Sequence, residues 1–173
     1  SRNYKKGSKK SAYNALFRLQ GMKKVRKTTM EDVERVLEIF HRASESMHEM
    51  GIAQWLNGYP AKEDVLKDIA SGESYVITED GVIQGTAYIC TQPEPDYAEI
   101  EGKWPNEDPY VVIHRIAVDT SVKGKGYANE LLNKAKEVAL AHGYENIRID
   151  THEDNHPMRA FIDKHGFTYC GTV

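Results

Sequence analysis

The sequence predicts an α/β protein of the α+β type, with a mixed, mostly antiparallel central sheet that has helices on both faces. Three observations predict this fold. Strand-like and helix-like segments follow one another in the order β-α-α-β-β-β-α-β-α-β. The turn Asp80-Gly81 between two of the strands favours a tight antiparallel hairpin. Hydrophobic residues make up 40% of the 173 residues, which suffices for one domain with its own core.

The first half of the chain is predicted to begin with a short strand and two helices. Residues 23–28 form the strand, and Thr28 or Thr29 with an acid three residues later starts the first helix, which Gly51 ends. Its apolar residues recur on one helical face: Val33, Val36, Leu37, Phe40, Ala43 and Met47. An irregular stretch then leads to a shorter helix after Pro60. The hairpin strands follow at 74–78 and 82–91.

The second half is predicted to open with a long acidic loop over residues 92–108, a length that is typical of a functional segment. The remaining elements are an apolar strand, a helix, a strand, a helix and a final strand. They span residues 110–118, 124–142, 146–150, 156–165 and 167–172.

Charge is unevenly distributed along the chain. Residues 1–21 contain six basic residues and no acid, which leaves 17 basic against 26 acidic residues in 22–173. We interpret residues 1–21 as a basic extension that derives from expression of the protein or is incidental to its function. The acidic body argues against nucleic-acid binding, which requires a basic surface.

Targeting and redox features predict a cytoplasmic protein. No apolar run approaches the roughly 20 residues of a membrane span, and no signal-peptide pattern is present, so no membrane association is expected. The two cysteines, Cys90 and Cys170, are far apart in sequence and suggest free thiols rather than a disulfide or a metal site.

The most informative segment is the apolar strand that ends at Val118 and the glycine-containing turn that follows it. The turn Lys123-Gly124-Lys125-Gly126 leads into the first residues of an amphipathic helix. Free N–H groups and the dipole at a helix start attract anions, and glycines let the backbone approach a phosphate closely. The segment therefore predicts a pyrophosphate site, although glycines at a helix start also serve tight packing alone.

Three better-known motifs fit poorly. A Walker loop requires Ser or Thr after Gly-Lys, and here Gly126 follows. A dinucleotide fingerprint requires a third glycine where Asn129 stands. The string His152-Glu153-Asp154-Asn155-His156 matches a zinc-protease motif in letters, but Pro157 disfavours the continuous helix that this site needs. We therefore expect no metal.

The glycine turn resembles the acetyl-CoA signature of the GNAT superfamily of N-acetyltransferases, Gln/Arg-x-x-Gly-x-Gly/Ala, with Lys123 in the first position. A second family pattern follows in residues 155–167, from Asn155 to Phe167. The resemblance covers essentially all of residues 22–173. It implies a GNAT-like fold, with a splay between the fourth and fifth strands, and acetyl-CoA as co-substrate. It also implies two closing strands where the sequence offers one, so the final strand is either missing from this chain or supplied by a partner.

The resemblance implies roles for the residues around the turn. The backbone of the strand would bind the pantetheine arm, the turn would hold the pyrophosphate, and Asn155 would contact the cofactor. These cofactor residues are Ile116, Ala117, Val118, Lys123, Gly124, Lys125, Gly126, Tyr127, Ala128 and Asn155. The family's tyrosine, which protonates the departing thiolate, is replaced by Ile162. Because a simple thiol has a pKa of about 8.5, water can protonate the leaving group.

The implied reaction is direct attack of a primary amine on the thioester, without a covalent enzyme intermediate. Backbone N–H groups of residues 116–118 would stabilise the oxyanion. An alkyl ammonium, with a pKa of about 10.4, must first lose a proton. His114 is the first candidate base and Glu101 the second, although a buried structural histidine and a solvated acid are the alternatives.

Three aromatic residues in irregular segments are candidates for acceptor binding: Trp55, Tyr59 and Trp104. Such rings can bind a cationic amine, and they equally serve to anchor loops. The acceptor is expected to be a small-molecule or peptide amine, and the protein a monomer or a homodimer. Ile162 keeps a second function open, a non-catalytic domain that binds or senses acyl-CoA.

Overall fold

The computed structural model describes residues 10–15 and 21–173. In these residues the chain forms the following elements: β1 (Lys23–Lys27), α1 (Val33–Glu49), α2 (Lys62–Ala70), β2 (Ser74–Glu79), β3 (Val82–Cys90), β4 (Glu101–Gly102), β5 (Tyr110–Val118), α3 (Tyr127–Ala141), β6 (Asn146–Ile149), α4 (His156–Lys164) and β7 (Gly171–Thr172). Residues 10–15 are exposed and lack regular structure. The rest of the predicted extension, apart from residue 21, lies outside the described residues.

The main sheet confirms the predicted mixed, mostly antiparallel architecture. Its strand order is β1-β2-β3-β5-β6. The first four strands pair antiparallel, and β5 pairs parallel with β6. β5 and β6 can pair in parallel because α3 connects them across one face of the sheet.

Helices cover both faces of this sheet because alternate strand residues point to opposite sides. On one face, Leu131 and Leu132 of α3 pack against a cluster that includes Ile77. On the other face, Val36 of α1 and Val65 of α2 pack against a cluster that includes Val76. The neighbours Ile77 and Val76 are both fully buried, each in a different core.

Two irregularities coincide in the middle of β5. Pairing with β6 ends at Ile113, so in the described part of the chain residues 114–118 have no strand partner on that side. On the other side, Tyr88 pairs with His114 and Thr86 with residue 117, which places two β5 residues opposite one β3 residue. This is a β-bulge, and Arg115 within it has a φ of +46°. The strands β5 and β6 therefore separate where the resemblance places the splay.

The prediction of a final strand over residues 167–172 is wrong in extent. Only residues 171 and 172 form a strand, and they pair with β4 in a separate two-stranded sheet. The pairing is short because its partner β4 has only two residues, Glu101 and Gly102. A 3₁₀ turn at Pro95–Tyr97 precedes β4. The predicted loop over residues 92–108 therefore contains both a turn and a strand.

The N-terminal capping prediction is confirmed at Thr29. The backbone N–H of Thr29 donates to Asp32 at 2.7 Å, and Arg26 holds the same carboxylate through two contacts of 2.7 and 3.0 Å. None of the helices among the described residues has both the length and the apolar character needed to cross a membrane.

Candidate active site

The turn between β5 and α3 has the backbone that the sequence predicts for an anion site. Gly124 and Gly126 have φ values of +81° and +79°, in the left-handed region that favours glycine. Gly126 precedes the first residue of α3, so the N–H groups of the first helical turn face this segment. Lys23 of β1 donates from Nζ to the carbonyl of Lys125. Lys23 has no local signal in the sequence, because 102 residues separate it from Lys125.

The turn is held in place by Asp119, which is 1% exposed. Its carboxylate accepts from the N–H and Oγ of Ser121 at 2.9 and 2.8 Å. Two arginines of α1 pair with it, Arg35 at 2.7 Å and Arg42 at 3.0 Å. Burial alone would raise the pKa of Asp119, but the bonds from Ser121 and the charge of Arg35 outweigh burial and lower the pKa to about 2.

A groove of about 570 Å³ lies between this turn and α4. The turn and the start of α3 form one wall, and α4 forms the other. The lining residues are Val118, Val122, Lys123, Gly124, Lys125, Gly126, Tyr127, Ala128, Asn129, Phe161, Lys164 and His165. Three lysines and no acid line the groove, so its charge suits an anionic ligand. Most residues of the first wall were predicted from the sequence, whereas Phe161, Lys164 and His165 were not.

Tyr127 belongs to the core although it borders the groove. Its side chain is 2% exposed, and its hydroxyl donates to Glu79 of β2. This hydrogen bond raises the pKa of Tyr127 to about 12. Tyr127 therefore fixes α3 to the sheet rather than presenting its ring to a ligand.

Asn155 caps α4 and connects it to the loop after α1. Its Oδ1 accepts from the N–H of Met158 at 3.2 Å, and its Nδ2 donates to Gln54 at 3.0 Å. The same Gln54 oxygen accepts from Thr151 and from the N–H of His152, both at 3.3 Å. Gln54 could not be predicted from the sequence, because the residues around it show no pattern that indicates such a junction.

His114 lies where β5 and β6 separate, with its side chain 20% exposed. Its Nε2 lies 3.2 Å from an oxygen of Glu94, and its ring stacks on Tyr88 at a centroid distance of 5.9 Å. A neutral ring that donates from Nε2 to Glu94 keeps its lone pair on Nδ1. Glu94 is itself held, because its N–H donates to the Tyr110 hydroxyl at 3.0 Å.

The surroundings of His114 favour the neutral imidazole. Burial is the largest cause of a lowered pKa, and the positive charge of Arg115 lowers the pKa further. Glu94, Asp150 and Asp68 oppose this effect but do not outweigh it. At neutral pH the ring is therefore able to accept a proton.

Arg115 is enclosed beside His114. Its Nε and Nη2 donate to the two oxygens of Asp68 at 2.7 and 2.6 Å. Its Nη1 donates to the Tyr59 hydroxyl at 3.0 Å, and its guanidinium lies 4.8 Å from the ring centroid of Tyr88. In sequence, Arg115 is only an interruption of an apolar strand, and Asp68 is one of several acids on α2.

The three aromatic residues proposed for acceptor binding occupy different surroundings. Tyr59 is 39% exposed, and its hydroxyl accepts a hydrogen bond from Arg115, the residue after His114. Trp55 packs edge-on against Phe40 at 5.4 Å. The Trp104 ring lies 3.9 Å from the Arg148 guanidinium and its Nε1 donates to a backbone carbonyl at 2.9 Å. The contacts of Trp55 and Trp104 are those of loop anchors.

Glu101, the second candidate base, lies in β4 and faces the C-terminal strand. It is exposed and borders an open depression of about 400 Å³ together with Thr172 and Val173. That depression shares no lining residue with the groove beside the glycine turn. The carboxylate beside His114 is Glu94 instead. The sequence identified the acidic loop, but the turn that begins at Pro95 decides which acid points inward.

The structure does not arrange His152 and His156 as a pair of zinc ligands. His156 is the first residue of α4 and His152 lies in the preceding loop, so the two are not one turn apart on a helix. Among the described residues, no group of three or more His, Cys, Asp or Glu side chains is arranged to hold a metal ion.

Comparison with known proteins identifies the family. The sequence model of the Acetyltransferase (GNAT) family matches residues 33–167. An acetyltransferase of the GNAT family from Streptococcus agalactiae 2603 has 30% identity and a TM-score of 0.73, over 86% of this chain and 87% of that one. A protein from Staphylococcus aureus MU50 has 31% identity and a TM-score of 0.67, over 83% and 90%.

A more distant structure shares the fold. The PaiA N-acetyltransferase from Thermoplasma acidophilum, in complex with coenzyme A, has 16% identity and a TM-score of 0.69, over 85% and 90% of the two chains. A comparison with curated proteins finds no match. The family model and the structural matches agree, and the chain belongs to the GNAT acetyltransferase family.

Proposed function

We propose that the protein transfers an acetyl group from acetyl-CoA to a primary amine by direct attack, with His114 as the base. One observation carries the proposal. A half-buried imidazole, paired with Glu94, lies at the point where β5 and β6 separate, on the strand that leads into the glycine turn.

The residues present fit acetyl-CoA. The groove carries lysines at the turn and on α4, and its two left-handed glycines leave backbone N–H groups accessible to a diphosphate. In the part of the chain that the structure describes, residues 116–118 have no strand partner on the side of β6, and such an edge suits the amide groups of a pantetheine arm. A protein of the same fold was crystallised with coenzyme A, which supports this assignment.

A residue of this chain takes up the proton that the attacking amine loses. His114 accepts it at Nδ1 from the attacking nitrogen, while Glu94 at Nε2 fixes the ring and stabilises its charged form. The nitrogen–carbon bond forms, the carbon–sulfur bond breaks, and the thiolate leaves and takes a proton from water. The half-buried Ile162 offers no acid for that last step. We place the reaction in the cytoplasm and the acceptor among small-molecule or peptide amines.

Ile162 also supports a second candidate, a domain that binds acyl-CoA without catalysis. The two candidates differ in thiol release. For a transferase, free CoA appears when acetyl-CoA and a panel of primary amines are incubated with the wild-type protein, and His114→Gln lowers kcat about 100-fold or more. The wild type and His114→Gln are expected to show the same thermal shift with acetyl-CoA.

Three results would count against all or part of this assignment. Acetyl-CoA binding without CoA release for any amine would favour the binding domain. Full activity of His114→Gln would leave the transferase in place and reject His114 as its base. Loss of activity on addition of a chelator would point to metal chemistry instead.

A further inference from the structure

We propose that the ion pair between Asp68 and Arg115 is a positioning device that holds the β5 bulge and thereby fixes the orientation of His114. The inference rests on the proposed function, because it assigns both residues to the same site. Neither residue reacts, since their charged groups are engaged with each other.

The backbone at Arg115 requires such a device. Its φ of +46° lies in the left-handed region, which a non-glycine residue adopts at a cost. A bulge of this type commonly has glycine in the left-handed position. Without contacts that hold the arginine side chain, the strand would relax toward regular pairing.

The side chain of Arg115 supplies these contacts from several elements. Asp68 of α2 forms a two-point ion pair with it at 2.7 and 2.6 Å, and both side chains are mostly buried, 17% and 8% exposed. Tyr59 of the loop after α1 accepts a third hydrogen bond at 3.0 Å. The planar guanidinium is thus fixed in position and in orientation.

The position of Arg115 affects the orientation of His114 in two ways. The residues are neighbours in the chain, so a change in the Arg115 backbone turns the peptide plane they share. They also contact the same ring, because the guanidinium lies 4.8 Å from the Tyr88 centroid and the imidazole stacks on that ring at 5.9 Å. A shift of about 1 Å at a reacting group can lower a rate about 100-fold.

The test compares Asp68→Asn with a matched control, Asp32→Asn. Asp32 is also a buried aspartate in a two-point pair with an arginine, at 2.7 and 3.0 Å, but it lies at the start of α1. For Asp68→Asn we expect kcat with a primary amine to fall about 10- to 100-fold, with KM for acetyl-CoA unchanged within about twofold. For Asp32→Asn we expect both constants to stay within about twofold of wild type, although the protein melts at a lower temperature.

A second readout does not depend on activity. Nuclear Overhauser contacts between the His114 and Tyr88 rings are expected in the wild type and in Asp32→Asn, and are expected to be lost in Asp68→Asn. If Asp68→Asn fails to fold, Arg115→Lys tests the positioning role instead, because lysine keeps the charge but lacks the planar two-point geometry. Its kcat is expected to fall at least about tenfold.

Retained ring contacts and a kcat within twofold in Asp68→Asn would overturn the inference, as would an equal loss of kcat in Asp32→Asn. A wild-type protein that releases no CoA with any amine would reject the proposed function. The ring contacts would then still show whether the ion pair fixes His114.

Discussion

Asp119→Asn is expected to destabilise the protein and to weaken acetyl-CoA binding. The carboxylate is buried and receives hydrogen bonds from Ser121 and ion pairs from Arg35 and Arg42. A pKa lowered from 3.8 to about 2 corresponds to about 2 kcal/mol of stabilisation of the ionised form. The asparagine also removes the negative charge that pairs with Arg35 and Arg42, which keep their contacts with Glu38. We therefore expect a loss of about 2–3 kcal/mol and a fall of about 4–10 °C in Tm.

The difference between wild type and variant should depend on pH. Because the pKa of the folded carboxyl is lowered, its stabilisation is present above the unfolded value of 3.8 and is lost as the pH falls through about 2. Urea unfolding at several pH values between 7 and 2.5 measures this difference. It should be constant above about pH 5 and fall to about half near pH 3.

The exposed Asp163→Asn serves as the matched control and is expected to change stability by less than about 0.5 kcal/mol. Acetyl-CoA binding should weaken in Asp119→Asn and not in the control, because Asp119 caps the segment that leads into the glycine turn. A stability difference that stays the same down to pH 2.5 would refute the reasoning.

Three further outcomes are expected. Gly126→Val should lose the thermal shift with acetyl-CoA while Gly143→Val keeps it, since both positions have positive φ values, +79° and +71°, and only the first borders the groove. Glu94→Gln should move the acidic limb of the kcat profile to lower pH, because Glu94 raises the pKa of His114; an unmoved limb would reject the pair. Gly171→Ala should open the β4–β7 pairing, measured by faster amide exchange, because a Cβ would lie 2.1 Å from a carbonyl oxygen; unchanged exchange would contradict this.

The sequence alone determined the glycine turn and the order of the elements, except for the two-residue strand β4. Helix and strand periodicity, the cap at Thr29 and the left-handed glycines are local properties, set by residues within a few positions of one another. The family patterns are local as well, so the family could be predicted before any contact was known.

Only the tertiary structure decided how the site is completed. Glu94 rather than Glu101 meets His114, because a turn in the acidic loop directs it inward. Asp68 meets Arg115 across 47 residues, and Arg42 meets Asp119 across 77. Each acid is one of many in the sequence. Which of them is buried beside which cation depends on how the helices pack on the sheet, and no local pattern encodes that.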